Sequence, residues 1–492
     1  MQINTYITLF RGKNEVTLRS KACVMRRTIS VFVSILTIAN LWADNGVQAL
    51  ERAIAVADAA WAKSMIGTPD NLYMADIIDI ETGEQSGPSD VWPYTAAIEA
   101  HCSILECLSM IQSRCPELYA QHYRLFTERL IMLIDNLEYY RGQTYLCSYA
   151  NRQSWHPFAV PRAREHGKAD VSGILNVYDD QMWLARELIR AYRLTGKEDY
   201  LQTATELTDY VLDGWDCWPD ESGREYGGIT WGPGYNSKHA CSNAPIIQPL
   251  MWLHDIYKRR HERYILHYRN AKGVRKQKKE DRSKAYLEWA RKIYAWQKEH
   301  LLVTKGADYG VYADMMGAAP TISYTKEGQM EFRAHVPTGN MTGRAYPYNS
   351  GTMLAATVEL YSATSEKDYL DDMQQLMVNG YRRFATTQER GRRFVEFENS
   401  DPTALHGFMT WFINVFLRAI IDAEPYLEDN LAQLALDGHL ANLNYAFERY
   451  NRDNLLPIHL TQGWGDEVKT KGFHQFTFAS EYAMLAKRML RN

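Results

Sequence analysis

Residues 177–201 read VYDDQMWLARELIRAYRLTGKEDYL, and the architecture of the chain follows from this stretch. Apolar or aromatic residues at positions 184, 188, 191 and 192 recur at the spacing of one helical face, which predicts an amphipathic helix that begins near the two aspartates. A short polar turn follows, and a second helix is predicted from residue 198. The stretch is therefore predicted to be a helical hairpin.

This hairpin has a second copy in the chain. Residues 178–201 align with residues 347–370 at an offset of 169 (347 − 178), and the tripeptide Asp-Tyr-Leu at 199–201 coincides with the same tripeptide at 368–370. In both copies a helix ends, a short polar turn follows and an outer helix begins. Repeated helical hairpins build either an open solenoid or a closed ring.

Helical periodicity covers most of the chain and predicts six hairpins. The predicted fold class is all-α, a single (α/α)6 barrel domain over residues 44–492 with six inner and six outer helices. Pro245 and Pro249 fall in a predicted inner helix and predict a late start or a kink there. The twelve predicted helices are 46–64, 92–113, 117–140, 180–195, 198–213, 244–259, 281–302, 349–363, 367–385, 406–422, 427–449 and 473–490.

Long loops join these helices and are expected to form a cleft at one end of the barrel. They are richer in Gly, Pro, Asn, Asp and aromatic residues than a plain connection needs, and such loops are usually functional. The loops are 65–91, 141–178, 214–243, 303–348 and 386–405.

Composition and charge exclude some functions. The net charge is −4 over 492 residues, so no bulk attraction to nucleic acid or to an anionic membrane is expected. The segment 258–284 is an exception, with 12 Lys or Arg residues against three acidic ones. It lacks a recognisable nucleic-acid-binding module, and it is interpreted as a solvated outer face or a surface insertion that continues an amphipathic helix.

The N-terminus resembles a targeting segment. Met25-Arg26-Arg27 precedes about 14 mostly apolar residues that end at Trp42, and Ala43 stands before Asp44. This pattern predicts a secretory signal peptide that is cleaved after Ala43 and is too short to span a membrane; residues 1–24 are interpreted as a gene-model extension. A buried helix or a retained anchor is the alternative. Export to the periplasm or the medium is expected.

The cysteines do not form a metal-binding pattern. Six of them follow residue 43, and none lies in a CxxC or Cys/His arrangement. Export would permit disulfides, but the sequence does not indicate a pairing. The six are Cys102, Cys107, Cys115, Cys147, Cys217 and Cys241.

Asp179 and Asp180 are the candidate catalytic residues. Adjacent Cα atoms lie about 3.8 Å apart, so the two carboxyl groups can lie roughly 5 Å apart, the separation that retaining glycoside hydrolysis uses; the inverting mechanism needs roughly 6.5–9.5 Å. A structural alternative is that the pair only caps the helix, because aspartate accepts backbone N–H bonds there and suits the helix dipole.

Other candidates lie in the loops before helices and would bind substrate. Trp231 offers a flat face for a sugar ring, and Lys238 and Asn243 could hydrogen-bond hydroxyl groups; Trp231 could equally be packed, and Asn243 could be an N-cap. The paired glycines Gly227-Gly228 let the backbone approach a ligand closely. The remaining candidates, any of which could instead be a cap or a core residue, are Tyr178, Tyr348, Asn349, Trp92 and Trp464.

Several of these blocks together resemble glycoside hydrolase family 76. They are Asn176-Val-Tyr-Asp-Asp-Gln-Met-Trp183, Gly227-Gly-Ile-Thr-Trp231, residues 238–243 and Tyr348-Asn-Ser-Gly-Thr352. Their order and spacing match α-mannanases of that family over roughly 45–490. Met182-Trp183 departs from the Trp-Trp that the family commonly carries.

The resemblance implies an (α/α)6 barrel that hydrolyses α-1,6-linked mannose with retention through a covalent glycosyl–enzyme intermediate. It implies Asp179 as the nucleophile and Asp180 as the general acid/base. The expected partner is α-mannan or a mannooligosaccharide, the expected oligomeric state is a monomer, and the mechanism requires no metal or cofactor.

Other functions of the same fold stay open. One is another (α/α)6 enzyme, such as an uronyl hydrolase, a different glycosidase, a transglycosylase or a sugar epimerase. Another is a glycan-binding relative without activity, although both carboxylates are present. An epimerase would need inward-facing histidines, for which the candidates are His101, His156, His335, His406 and His474.

Overall fold

The computed structural model describes residues 44–389, 393–397, 405–465 and 468–491. The predicted extension and signal peptide at 1–43 lie outside these residues. The described part contains twelve α-helices, as the periodicity predicts. They are α1 (44–64), α2 (Val91–Ile111), α3 (Pro116–Asp135), α4 (Tyr178–Thr195), α5 (Glu198–Asp213), α6 (Ile247–Tyr257), α7 (Arg282–Leu301), α8 (Pro347–Thr364), α9 (Lys367–Phe384), α10 (Met409–Ala423), α11 (Leu431–Arg449) and α12 (Gly472–Arg491).

The even-numbered helices contact one another in a cyclic order. Each of α2, α4, α6, α8, α10 and α12 packs against the next, and α12 packs against α2. Four odd-numbered helices each pack against the even-numbered helix that precedes them in the chain: α3 on α2, α5 on α4, α7 on α6 and α9 on α8. This arrangement is consistent with an α/α-barrel-type fold.

Burial distinguishes the two sets of helices. α8 is buried along its first twelve residues on every side, as expected of a helix that is enclosed by its neighbours. α9 is amphipathic, and it buries one stripe made of Met373, Leu376, Met377, Gly380 and Phe384.

The internal repeat is confirmed in the structure. α4 and α8 have bounds that differ by 169 at both ends (347 − 178 and 364 − 195). Both helices end at a residue with left-handed backbone, Gly196 at φ 72° and Ser365 at φ 58°. The next helices begin at Glu198 and Lys367, again 169 residues apart. The two hairpins therefore occupy equivalent places in the fold.

The late start of α6 is also confirmed. A short 3-10 turn at Ala244–Ile246 precedes the helix, which begins at Ile247. Pro245 suits this turn because its missing N–H would have no partner there anyway.

Short strands occur between the helices and were not expected from the periodicity. They pair in two-stranded sheets, except that β12, β9 and β6 form a three-stranded sheet. The strands are β1 (Met65–Thr68), β2 (Asn71–Met74), β3 (Ile78–Asp79), β4 (Thr144–Cys147), β5 (Arg152–Trp155), β6 (Lys238–His239), β7 (Arg263–Arg269), β8 (Arg275–Asp281), β9 (Met315–Ala318), β10 (Tyr324–Glu327), β11 (Met330–Arg333), β12 (Thr338–Thr342), β13 (Ala385–Glu389), β14 (Arg393–Phe397) and β15 (Lys469–Thr470).

The basic segment is a β-hairpin and does not continue a helix as predicted. Strands β7 and β8 pair in antiparallel register from Arg263↔Asp281 to Arg269↔Arg275. The sequence Tyr-Ile-Leu-His-Tyr in β7 favours a strand, and Gly273 at φ 75° in the turn ends any helix. The interpretation as a surface feature holds, because most of β8 is exposed.

Buried ion pairs connect the inner helices. Glu99 of α2 accepts hydrogen bonds from Arg418 of α10 at 3.0 and 3.1 Å. Arg190 of α4 donates to Glu106 of α2 at 2.8 Å. Burial raises the pKa of Glu99, but the charges of Arg418 and Arg186 outweigh it and hold that pKa below its usual range. These carboxylates are therefore charged within the protein interior.

The described helices include none that is both long and apolar enough to cross a membrane.

We expect Arg418→Met to lower the free energy of unfolding by about 3 kcal/mol, because removing one partner leaves a buried charge on Glu99. The matched control is Arg224→Met, which removes an exposed pair with Glu299 at 3.1 Å and is expected to cost about 1 kcal/mol or less. Denaturant unfolding of both variants measures the difference. Equal losses would contradict the buried-charge argument.

Candidate active site

A cavity of about 580 Å³ opens at the N-terminal ends of several inner helices. This volume falls in the usual range of small-ligand sites. The positive ends of the helix dipoles meet there, which favours negative charge. The lining is mostly aromatic and consists of Trp92, Asp179, Trp183, Trp231, His239, Cys241, Asp314, Arg344, Tyr346, Tyr348, His406, Gly407, Phe408, Met409, Trp411 and Phe412.

Asp179 is half-buried and lies in the wall of this cavity. Trp231 Nε1 donates a hydrogen bond to its Oδ1 at 3.1 Å. Burial raises the pKa of Asp179 to about 7, and hydrogen bonds from Cys241 and Trp231 partly offset that rise. Asp179 is thus a carboxyl group that changes charge near neutral pH and faces open space.

Asp180 is more deeply buried, with 4% of its surface exposed. Burial raises its pKa well above the usual range, and the charges of Asp179 and then Asp90 raise it further. Two adjacent carboxylates resist double ionisation, so Asp179 is the member of the pair that ionises first and Asp180 is the member that holds its proton longer.

The capping alternative for this pair is only partly met. Val177 occupies the N-cap position of α4 and makes no side-chain cap bond, while both aspartates lie in the first turn. The carboxyl group of Asp179 bonds Trp231 and lines the cavity. Backbone N–H groups of the first turn also bond this carboxyl group, so Asp179 both meets the helix N-terminus and faces the cavity.

Asp314 is the second carboxyl group in the cavity wall beside Asp179, and the sequence reasoning missed it. Tyr348 Oη donates a hydrogen bond to its Oδ1 at 3.1 Å, and burial raises its pKa. It lies 135 residues after Asp179 (314 − 179) in a loop without a recognisable motif. The sequence carries no signal for Asp314, because only the folded path of that loop brings it to the cavity.

Three predicted binding residues, Trp92, Trp231 and Tyr348, lie in the cavity wall. Trp92 stacks on Phe412 with ring centres 6.0 Å apart, and Tyr348 packs on the same ring at 4.4 Å. The aromatic wall is therefore continuous from the start of α2 to the starts of α8 and α10.

The other predicted binding residues are engaged elsewhere. Lys238 Nζ forms a buried ion pair with Asp216 at 2.9 Å. Asn243 ties two loop segments together, because its amide bonds the backbone N–H and C=O of Ile229 at 2.8 and 3.0 Å. Both side chains hold the loop that carries Trp231 and lie outside the cavity lining.

Tyr178, Asn349 and Trp464 also lie outside that lining. The ring of Tyr178 is buried against Tyr210, with centres 5.1 Å apart. Asn349 is fully buried in the first turn of α8. Trp464 donates to the carbonyl of Tyr450 at 2.6 Å. Their binding role stays a prediction.

The paired glycines serve packing. Gly227 and Gly228 have φ angles of 70° and 77°, and a Cβ on Gly228 would lie 2.4 Å from the ring of Trp296. The backbone approach that these glycines permit is therefore to an indole of α7.

The five histidine candidates are dispersed in the fold. His406 lines the cavity. His101 is buried in α2, where burial lowers its pKa to about 3, and His335 bonds Asp216 at 2.7 Å. His156 bonds Glu206 at 2.9 Å, and His474 bonds Thr410 at 2.7 Å. The structure does not bring these histidines together as an acid–base pair.

The described residues include no group of three or more His, Cys, Asp or Glu side chains that could hold a metal ion. The six cysteines after residue 43 are all free thiols. Cys241, which is 8% exposed, lies beside Asp179 in the cavity wall.

Comparison with known proteins identifies a family model that matches much of the chain. The model described as glycosyl hydrolase family 76 matches residues 134–262 and 278–441. These ranges hold 129 and 164 residues, together 293 of 492. No curated protein matches the sequence.

Solved structures of that family share the fold. The family 76 mannosidase Bt3792 of Bacteroides thetaiotaomicron VPI-5482 is 18% identical with a TM-score of 0.62, and the match covers 89% of this chain and 98% of that one. The GH76A α-1,6-mannanase of Salegentibacter sp. HEL1_6 is 19% identical with a TM-score of 0.54, over 90% and 99%. An inactive variant of the latter was solved with α-1,6-mannotriose.

We expect Trp231→Phe to move the acidic limb of the pH–activity profile upward by about one pH unit. The lost hydrogen bond favours the charged form of Asp179, so its removal raises that pKa; a bond to a charged group is worth about 1.5 kcal/mol or more, and 1.36 kcal/mol equals one unit. The measurement is kcat/KM against pH.

The matched control is Trp464→Phe, which removes an indole N–H outside the cavity lining and is expected to leave the limb in place. A Trp231→Phe profile that superimposes on that of the unsubstituted protein would contradict the assignment of the limb to Asp179.

Proposed function

The chain belongs to glycosyl hydrolase family 76, and from this premise we propose that it is a retaining hydrolase of α-1,6-mannosidic linkages in mannan. One observation carries the proposal: Asp179 lines an aromatic-walled cavity, and Asp180, buried directly beside it, has the higher proton affinity of the two. Glycoside hydrolases work with such a pair, one member ionised and the other protonated.

The roles of the pair follow from their environments. Asp179 lines the cavity and has the lower pKa of the two, so its ionised form attacks carbon 1 of the sugar as the nucleophile. Asp180 keeps its proton and gives it to the leaving glycosidic oxygen. Water then displaces Asp179 from carbon 1 while Asp180, now ionised, takes the proton of that water. Two displacements at one carbon retain its configuration.

The cavity wall supports the choice of a sugar substrate. Trp92, Trp231 and Tyr348 present ring faces and edges against which the C–H side of a pyranose packs, and Asp314 supplies an acceptor for sugar hydroxyls. The α-1,6 linkage is proposed from the family resemblance and from the mannanase activity of the Salegentibacter relative.

We extend the proposal to the domain and its location. The cyclic contacts of the inner helices and the 169-residue repeat support a closed (α/α)6 barrel over residues 44–492. Mannan is an extracellular polymer, so the predicted signal peptide before residue 44 fits this substrate. A mannan or mannooligosaccharide partner and a monomeric state belong to the same proposal.

Asp179→Asn and Asp180→Asn are each expected to reduce hydrolysis of linear α-1,6-mannooligosaccharides at least about 1,000-fold, because each removes one covalent or proton-transfer role. Product analysis and ¹H NMR of the first-formed anomer measure rate, linkage and stereochemistry together. The unsubstituted enzyme should release the α-anomer first. Initial release of the β-anomer, or full activity in either variant, would overturn the mechanism.

Asp314→Asn is expected to lower kcat/KM about 10- to 100-fold without unfolding the protein, because a charged hydrogen bond to a sugar hydroxyl is worth about 1.5–3 kcal/mol. Tyr348→Phe removes only the phenol that donates to Asp314 and should have a smaller effect. The measurement is steady-state kinetics on α-1,6-mannotetraose. Full activity of Asp314→Asn would exclude a contact with substrate.

A further inference from the structure

The hairpin β7–β8 is an addition of this chain to the framework it shares with its family. The family model matches residues 134–262 and 278–441 and leaves 263–277 between them. Those residues are β7, the turn and the start of β8. The hairpin connects α6 to α7, where a short turn would be enough.

The hairpin region and the rest of the molecule have net charges of opposite sign. Residues 258–284 have 12 basic and three acidic residues, a net of +9. The remainder has 43 basic (55 − 12) and 56 acidic (59 − 3) residues, a net of −13. A strongly basic surface therefore stands on an acidic body, which attracts anionic groups to one place.

Three lysines of this hairpin are available for a ligand. Lys272, Lys276 and Lys279 are exposed, and the ion pairs of the described residues involve none of them, whereas Lys278 pairs with Glu280 at 2.8 Å. Arg275 of β8 packs over the buried ring of Phe332 at 3.7 Å, whereas the ammonium groups of Lys272, Lys276 and Lys279 make no such ring contact among the described residues. Their conformational freedom leaves three ammonium groups free to bind.

The hairpin is held firmly at its tip. Arg269 and Arg275 both pair with Glu327 of β10 at 2.6 Å, and the guanidinium of Arg269 lies 3.8 Å from the ring centre of Trp218. The same hairpin of β10 and β11 carries Arg333, which donates to the carbonyl of Tyr235. The basic strand is thus fixed to the loops of the active-site face.

Those loops lead to the catalytic cavity. The ring of Tyr235 packs against Trp231 with centres 4.6 Å apart, and Trp231 bonds Asp179. These contacts join the tip of the hairpin to the wall of the cavity through Glu327, Arg333 and Tyr235.

A second cavity of about 300 Å³ lies between the hairpin and helices α5 and α7. Leu266, His267 and Lys278 of the hairpin line one side, and Trp289 and Lys292 of α7 line the other. Lys292 Nζ stands 4.5 Å from the ring centre of Trp289.

The lining of this second cavity also includes Asp213 and Glu225. Glu225 pairs with Lys292 at 2.5 Å and Glu280 pairs with Lys278 at 2.8 Å, so the ammonium groups of this cavity are already neutralised, and an anionic group would bind to the exposed lysines outside it.

We propose that the exposed basic face of this hairpin, with Lys272, Lys276 and Lys279, forms a secondary binding site for a glycan that carries anionic substituents, phosphodiester or carboxylate groups. The site holds an acidic polymer near the catalytic cavity and so selects anionic mannans among the substrates. That the polymer is a mannan rests on the proposed function. That the site recognises negative charge does not, because it is inferred from the basic hairpin alone.

The test uses the full chain in an Asp180→Asn background, so that the polymer stays intact during binding. The hairpin variant is Lys272→Gln/Lys276→Gln/Lys279→Gln, and the matched control is Lys168→Gln/Lys197→Gln/Lys305→Gln, three exposed lysines elsewhere. The probes are α-mannan with phosphodiester groups, the same mannan after dephosphorylation, and carboxymethylated α-mannan. Affinity is measured at low and high salt.

The parent and the control should bind at least one anionic mannan about fivefold or more tighter than the neutral one, and the hairpin variant should lose this preference. High salt should remove it too, because the Debye length falls to about 3 Å at 1 M. Comparison of the phosphodiester and carboxymethyl arms identifies the anionic group.

Equal affinities of the hairpin variant and the control would overturn the site, and equal competition by double-stranded DNA would overturn its glycan character. Cleavage of neutral α-1,6-mannotetraose is then measured in the same proteins with Asp180 restored. This measurement distinguishes failure of the hairpin site from failure of the proposed function. Normal cleavage by the hairpin variant is expected; loss of cleavage in every protein, the parent included, would instead overturn the proposed function.

Discussion

Removal of two adjacent carboxyl groups from water is the constraint on which the site depends. Asp179 and Asp180 lie in the first turn of a helix that is enclosed by other helices, and burial penalises charge on both. The cavity gives Asp179 two compensations, the Trp231 N–H and the Cys241 thiol, while Asp180 faces the charge of Asp179. The difference between their environments gives two identical side chains different proton affinities.

Buried polar side chains hold the loop that carries Trp231, and ion pairs or hydrogen bonds compensate the cost of burying them. Asp216 binds both Lys238 at 2.9 Å and His335 at 2.7 Å, and burial alone would raise its pKa, but these partners hold it below the usual range. Asn243 joins the same loop to itself. Lys238 and Asn243, which resemble sugar ligands in the sequence, thus hold the loop whose indole bonds Asp179, and their binding of substrate stays a prediction.

Below the cavity, ion pairs such as Glu99 with Arg418 join inner helices that are distant in sequence. A buried charge that loses its partner is strongly destabilising, so these ion pairs favour one arrangement of the inner helices. The hairpin β7–β8 lies outside this system. It is attached by Arg269 and Arg275 at its tip. Lys272, Lys276 and Lys279 form no ion pair among the described residues, so a separate binding role is consistent with the rest of the structure.

Periodicity and local chemistry were enough to predict twelve helices, the 169-residue repeat, the late start of α6 and the place of Asp179 and Asp180 at a helix N-terminus, because each depends on neighbours along the chain. The hairpin was missed because its basic residues obscured the period-two pattern of β7. The place of Asp314, the contacts of Lys238 and Asn243, and the order of proton affinities within the aspartate pair depend on contacts between residues 14 to 52 positions apart. Only folding brings those groups into contact and sets which of them meets water.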